Sequence, residues 1–268
     1  MLGFIVPIRG KSKSQDWDKS NELLKNTLQS ICNQDDPSFM VFVVYTDMPY
    51  LLKNDKVIYV KYPYPFVPAK EIADYETVVK VQFTDSMGQG VFDKGKRVMW
   101  GCQAAIQHGC KYVMSVDSDD LVSNKLSGFV AQNSNEKYGW FVNKGYIWNI
   151  KFPWLIKVPV NMNHLNGSTN IANINLLPET DFETKNLSDV SFFIGHGYLK
   201  ERIFLQHKDT LKALPFYTII YLIHDINWSG YSSIQKKDFF KTLIKYLVRG
   251  KWLTRSIKNE FSISKKVF

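Results

Sequence analysis

The chain has 268 residues, 45% of them hydrophobic and 15% aromatic, which is enough to bury a full core and excludes an intrinsically disordered protein. Its net charge of +9 is unevenly placed: residues 231–268 carry ten Lys or Arg against two acidic residues, so eight of the nine charges lie in the tail. A basic tail on a nearly neutral body fits an anionic surface better than nucleic acid, which selects charge spread along a binding face.

The first segment, Met1 to Pro7, has no basic n-region and meets Pro7 and Arg9 too early for a signal sequence, which predicts a cytoplasmic protein. The longest apolar runs, Phe39 to Tyr45 and Ala213 to Ile223, fall short of the roughly 20 residues that span a bilayer. Cys32, Cys102 and Cys110 are odd in number and contain no C-x-x-C pair, so neither a disulfide framework nor a structural zinc site is expected.

In chain order, Phe4 to Ile8 reads as a strand, and Asn21 to Ile31 shows helical spacing through Leu24, Leu28 and Ile31. Phe39 to Tyr45 is continuously apolar and β-branched, as a parallel strand covered on both faces must be, and it leads to Asp47. Val57 to Val60 is a third strand, followed by turns at Pro63, Pro65 and Pro68. A helix is predicted from about Lys96 to Gln107, and Tyr112 to Val116 is the next buried strand. Strands alternating with helices imply a doubly wound, mostly parallel sheet flanked by helices, whose ligands bind beyond the carboxyl ends of the strands. Arg9, Asp47 and Asp117 to Asp120 should share that rim. Beyond Asp120 the alternation weakens, and Tyr138 to Phe141 and Tyr146 to Trp148 suggest antiparallel strands that extend the sheet. There is no internal repeat.

Asp117-Ser118-Asp119-Asp120 is the most informative segment. Three carboxylates within four positions repel one another unless a cation or hydrogen-bond donors hold them, and hard oxygen ligands select Mg²⁺ or Mn²⁺ over zinc. The same residues would also serve as a solvated turn or helix cap.

The tail shows Phe240, Leu243, Ile244 and Leu247 at i, i+3, i+4 and i+7, with Lys241, Lys245 and Arg249 on the other faces, and Trp252, Leu253, Ile257 and Phe261 continue the pattern. A basic amphipathic helix of this kind either lies on an anionic membrane surface, here through residues 236–261, or packs its apolar stripe on the body of the protein. The first option would place the protein peripherally on the inner face of the cytoplasmic membrane.

Four segments, in this order, resemble nucleotide-sugar-dependent glycosyltransferases of the GT-A fold, similar to glycosyltransferase family 2 of the bacterial surface-polysaccharide type. They are Phe4 to Arg9, the strand ending at Asp47, Asp93-Lys94-Gly95-Lys96-Arg97 through Asp120, and His224-Asp225-Ile226-Asn227-Trp228-Ser229. The resemblance implies a catalytic domain over residues 1–230, with a nucleotide-binding half at 1–120 and an acceptor-side half at 121–230, and basic amphipathic helices over 231–268. It implies transfer of a sugar from a nucleoside diphosphate sugar, a UDP-sugar in first place, to a hydroxyl of a glycan or lipid-linked acceptor, assisted by Mn²⁺ or Mg²⁺.

By the same resemblance Pro7 and Arg9 border the nucleotide pocket, Asp47 accepts a hydrogen bond from the base, and Lys94, Lys96 and Arg97 add positive charge at a helix start near the diphosphate. Asp117, Ser118 and Asp119 contact the donor; Asp117 and Asp119 with His224 form the metal set. The polar loop Gly167 to Asn170 lies beneath the donor sugar. An inverting transfer needs a general base. The family's Glu-Asp pair is missing, which leaves Glu179, Asp181, Asp189 and His196 as candidates, with Asp189 favoured because Val190 to Ile194 after it looks helical. A sugar nucleotidyltransferase is a competing reading, although Pro7-Ile8-Arg9-Gly10 holds one glycine where a triphosphate-wrapping loop needs several. A non-catalytic nucleotide- or carbohydrate-binding relative is a third.

Overall fold

The computed structural model describes residues 1–74, 85–224 and 249–263. Two sheets organise them. The central sheet has seven strands in the order β10-β6-β9-β4-β1-β2-β3, formed by β1 (Leu2–Pro7), β2 (Phe39–Tyr45), β3 (Val57–Lys61), β4 (Tyr112–Ser115), β6 (Gly139–Phe141), β9 (Asn170–Asn173) and β10 (Lys212–Ala213). Pairing is parallel from β3 to β4, and β9 alone runs against its neighbours β4 and β6. The fold is therefore a mixed α/β one, built on a mostly parallel sheet with helices on its faces.

Alternation along these strands explains why their sequences are apolar throughout. Phe4, Val6, Val41, Val43, Tyr112 and Met114 turn to one face, where they meet Leu24, Leu28 and Ile31 of α1 (Trp17–Cys32). Ile5, Phe42, Val44 and Val113 turn to the other, where they meet Val98, Met99, Cys102 and Ala105 of α2 (Asp85–Gln107). Two covered faces leave no solvent-facing position for a polar side chain. At Gly101 of α2 a side chain would not fit, since a Cβ there would lie 2.4 Å from Ile5 Cγ2 and 2.8 Å from Val44 Cγ2.

The second sheet has the order β12-β8-β7-β11-β5, from β5 (Leu121–Val122), β7 (Lys144–Asn149), β8 (Trp154–Val158), β11 (Tyr217–Ile223) and β12 (Gly250–Trp252). Of the two aromatic segments expected to extend the central sheet, the one at Tyr138 to Phe141 does so as β6. The one at Tyr146 to Trp148 instead builds the second sheet as β7, because its partner is β11 and not β9.

Three expectations on secondary structure need correction. Helix α2 begins at Asp85, well before Lys96, so Lys94, Lys96 and Arg97 lie inside the helix and not at its start. At Gly95 the backbone of Val190 crosses the helix: a Cβ there would sit 2.5 Å from Val190 O. Residues 191–194 are not helical; a 3₁₀ turn over Leu187–Val190 ends in serine hydrogen bonds, with Ser191 Oγ donating to Ser188 O, and the next α-helix after α3 (Leu126–Gln132) is α4 (Leu199–His207). Trp252 lies in a strand, and Ile257 and Phe261, at and just beyond the short α5 (Arg255–Glu260), are buried with Tyr146, Trp148 and Leu222 of the second sheet. The amphipathic stretch around Phe240 to Leu247 lies outside the described residues.

No helix of the described residues is long and apolar enough to cross a membrane. The three cysteines are free, with Cys102 and Cys110 buried and Cys32 half-buried.

Candidate metal centre

Strand β4 ends at Ser115, and β5 starts at Leu121, so the acidic turn is the link between the two sheets. β5 pairs antiparallel with β11, Ile220 opposite Leu121, and this register carries the far end of β11 alongside the turn. His224, the residue after β11, places Nε2 3.0 Å from Asp119 Oδ2. Residues 105 positions apart in sequence are thereby joined at one site.

Carboxylate oxygens of Asp117, Asp119 and Asp120 all lie within 4.8 Å of one another. Their surroundings differ. Asp117 Oδ1 is 2.5 Å from Lys94 Nζ, and both side chains are about one-third exposed. Burial alone would lower the Lys94 ammonium, but the pull of Asp117, with Asp120 and Asp119 behind it, leaves it above its usual value. Asp120 is 1% exposed. Its Oδ2 accepts hydrogen bonds from Ser168 Oγ at 2.6 Å and Asn166 Nδ2 at 2.8 Å, while its Oδ1 has no hydrogen-bond partner. Burial first, and then the charges of Asp119 and Asp117, push its carboxyl well above the ordinary range.

These residues fit a hard divalent cation. A buried carboxylate oxygen without a donor, beside two further carboxylates and one imidazole, is an anionic set that among the described residues has Lys94 to offset it. Only oxygen and nitrogen ligands are offered, which suits Mg²⁺ or Mn²⁺.

The loop from β8 to β9 forms the wall of the site. Ser168 Oγ also accepts from the Asp117 backbone N–H at 2.7 Å, and Ser168 N–H donates to Asn166 Oδ1 at 2.7 Å. Gly167 closes the approach, since a Cβ there would lie 2.9 Å from Asp117 Oδ2 and 3.0 Å from Lys94 Nζ. Asn166 carries no signal in the sequence; Gly167 to Asn170 does, as a polar loop entering a strand, and β9 does begin at Asn170.

The other rim residues fall as follows. Pro7 ends β1, Arg9 is exposed just beyond it, and Ser118 is half-buried inside the acidic turn. Asp47 Oδ2 accepts the Lys11 backbone N–H at 2.7 Å, which ties the end of β2 to the loop after β1. Two strand spacings separate the ends of β2 and β4, about 10 Å.

Lys96 and Arg97 are not brought to the turn. Lys96 is 4% exposed, its Nζ 5.2 Å from the Tyr64 ring centroid and 5.5 Å from that of Phe92, and burial lowers its pKa. Arg97 pairs with Asp93 at 2.7 Å and lies 4.8 Å from the Tyr62 ring centroid. Both serve packing of α2 against the segment after β3.

Among the base candidates, Glu179 lines a groove with Trp100, Gln103, Gln107 and Phe182. Gln103 and Gln107 are nine and thirteen residues beyond Lys94 on α2, about 13–20 Å along the helix. Asp181 is exposed and accepts the Glu183 N–H. Asp189 accepts from Thr184 Oγ1 and Ser188 Oγ, so both its oxygens are engaged locally. His196 is close enough to the site to feel Lys94 and Asp117: burial, and then the Lys94 charge, push its imidazole down to about 4, with Asp117 opposing.

No protein-family model matches the sequence, and no curated protein matches it by sequence. Among solved structures, the chain is similar to residues 1–349 of S. aureus TarS, with a TM-score of 0.42 and 14% identity over 82% of this chain and 60% of that one. It is similar to the same protein in complex with UDP-GlcNAc (TM-score 0.45, 16% identity, 99% and 74% covered) and in complex with UDP (0.43, 15%, 83% and 60%). The chain spans 60% of the first of these structures and 36% of a longer TarS structure.

Proposed function

We propose that the chain is a metal-dependent glycosyltransferase of the GT-A type, which moves a sugar from a nucleoside diphosphate sugar, UDP-sugars first, to a hydroxyl of a glycan or lipid-linked acceptor. One observation carries the reading: His224 and Asp119 meet at 3.0 Å beside two further carboxylates and Lys94, on the rim where a doubly wound sheet binds ligands.

In this reading Asp47 and the loop after β1 take the base, and the acidic turn, two strand spacings or about 10 Å along the rim, takes the diphosphate. Asp117, Asp119 and His224 would hold Mn²⁺ or Mg²⁺, which when bound stabilises charge on the departing diphosphate as a Lewis acid. Lys94, kept charged by Asp117, adds a second cationic group, and Gly167 lets the loop from β8 to β9 pack close against that pair.

For transfer with inversion, His196 is the base this reading favours over Asp189, Glu179 and Asp181. Its low pKa keeps a ring nitrogen free to accept the acceptor hydroxyl's proton at neutral pH. Asp189 already has donors on both oxygens.

The test is a thermal-shift panel of UDP-, GDP- and dTDP-sugars with and without Mn²⁺. A midpoint raised by one nucleotide class only when Mn²⁺ is present, and lost in Asp119→Ala, supports the proposal. No shift with any donor, or a shift that survives Asp119→Ala unchanged, overturns it.

A further inference from the structure

Two of the exposed rings among the described residues lie together at one edge of the second sheet. Phe152 is 38% exposed and Trp252 67% exposed, unusual values for side chains that gain most from leaving water. Phe152 stacks on Trp154 with centroids 5.4 Å apart, and Trp154 meets Trp252 edge to face at 5.7 Å. The three come from two distant segments, the turn between β7 and β8 with the first residue of β8, and the strand β12. Pairing of Trp252 with Trp154, and the Leu253 N–H donating to Pro153 O at 3.2 Å, bring these segments together. β12 is the last strand of its sheet.

The charge of these two segments has one sign. Residues 137–178 contain Lys137, Lys144, Lys151 and Lys157 and no Asp or Glu; residues 239–259 contain six Lys or Arg and no Asp or Glu. Lys151 in the turn and Arg255 just after β12 are both exposed. A second copy of the chain docked on the same patch would set basic segment against basic segment, which argues against a two-fold dimer here.

We propose that Phe152, Trp154 and Trp252 form a docking surface for an anionic lipid bilayer, with the aromatic rings in the headgroup region and Lys151 and Arg255 against the lipid phosphates. Tryptophan favours that depth because its ring is amphipathic, and each basic side chain near an anionic leaflet adds a favourable increment. The surface differs from the one the tail pattern suggests, since Ile257 and Phe261 are spent inside the second sheet and the turn at 151–153 supplies rings of its own. Its position also has a use. Ile150 N–H donates to Ile223 O, directly before His224, so the aromatic turn begins beside the metal centre. If the glycosyltransferase reading holds, a lipid-linked acceptor would reach the site from this side.

The experiment is cosedimentation of the full chain with large vesicles of phosphatidylcholine alone and with 30% phosphatidylglycerol, without donor or metal. Expected is binding to the anionic vesicles only, weakened about tenfold in the Phe152→Ser/Trp252→Ser double variant and also in Lys151→Glu/Arg255→Glu. Asp119→Ala should bind vesicles as the parent does, so loss of donor binding and loss of lipid binding are read separately. Far-UV circular dichroism checks that each variant is folded; should the aromatic pair unfold the chain, the charge pair decides. Absence of binding to anionic vesicles, binding unchanged in the charge variant, or lipid-free self-association that the aromatic substitutions abolish would each overturn the proposal.

Discussion

His224 Nε2 stands 3.0 Å from Asp119 Oδ2, a contact made by the ends of strands in two different stretches of the second sheet. Neither residue reaches the other through local sequence. β11 must be in register with β5 for the imidazole to arrive at the acidic turn, so integrity of the second sheet and of the candidate metal centre are linked.

That link makes both residues testable as ligands. Removing one ligand from a small metal site weakens affinity by about 10–100-fold or more, so Asp119→Ala and His224→Ala should each lower Mn²⁺ affinity by at least that factor in titration calorimetry. The double variant should lose little beyond the worse single one, because both act on the same ion. Independent, additive losses would mean that the two side chains do not share a site.

Asp120 predicts a pH effect in the opposite sense from most carboxylates. Its folded-state pKa is raised by burial and by Asp119 and Asp117, so the folded protein favours the protonated form. The stability tied to that proton is complete below the ordinary carboxylate pKa and is lost as pH rises through the raised value. With metal removed by chelator, urea midpoints should therefore fall as pH is taken up from 5 to 8. Asp120→Asn keeps an oxygen for Ser168 and Asn166 and carries no charge, so it should flatten this slope and stabilise the metal-free protein at pH 8. A wild-type slope that persists in Asp120→Asn would remove Asp120 as its source.

Gly167 packs directly on Lys94 and Asp117. In Gly167→Ala the new methyl would meet Lys94 Nζ and Asp117 Oδ2, of which the lysine is the far end of a flexible chain and can move. The expected result is a fold that keeps its melting temperature within a few degrees and a donor affinity reduced about tenfold, since the Lys94 and Asp117 pair must part. Unchanged donor binding would show that this pair does not face the donor.

How much of this could be read from the residues follows from burial. β2 carries the bounds expected of it, because a strand covered on both faces is apolar without interruption and stops where the cover stops. The acidic turn was legible for the same reason, as charge directly after such a run. The N-terminal half of α2 was not, because Gly95 answers to a backbone crossing that only the tertiary structure creates. Nor were the roles of Lys96 and Arg97, whose ring partners Tyr62 and Tyr64 come from a proline-rich segment that reads as a bare turn. Asn166 and Ser168 hold Asp120 from 46 and 48 positions away, and no local pattern announces a hydrogen bond of that range.

The C-terminal segment gives the last prediction. Phe261 is 1% exposed and meets Tyr146 edge to face with centroids 6.0 Å apart, and Ile257 beside it is also buried. These positions fit an amphipathic stripe in sequence, yet they close the outer face of the second sheet. Phe261→Ala should cost about 3–5 kcal/mol, the usual loss for a buried phenylalanine, measured as a lower urea midpoint. Since β11 belongs to that sheet and ends at His224, the variant should also bind Mn²⁺ more weakly than its residual folded fraction accounts for. A stability change below about 1 kcal/mol would mean that residues 255–261 rest on the sheet without contributing to its core.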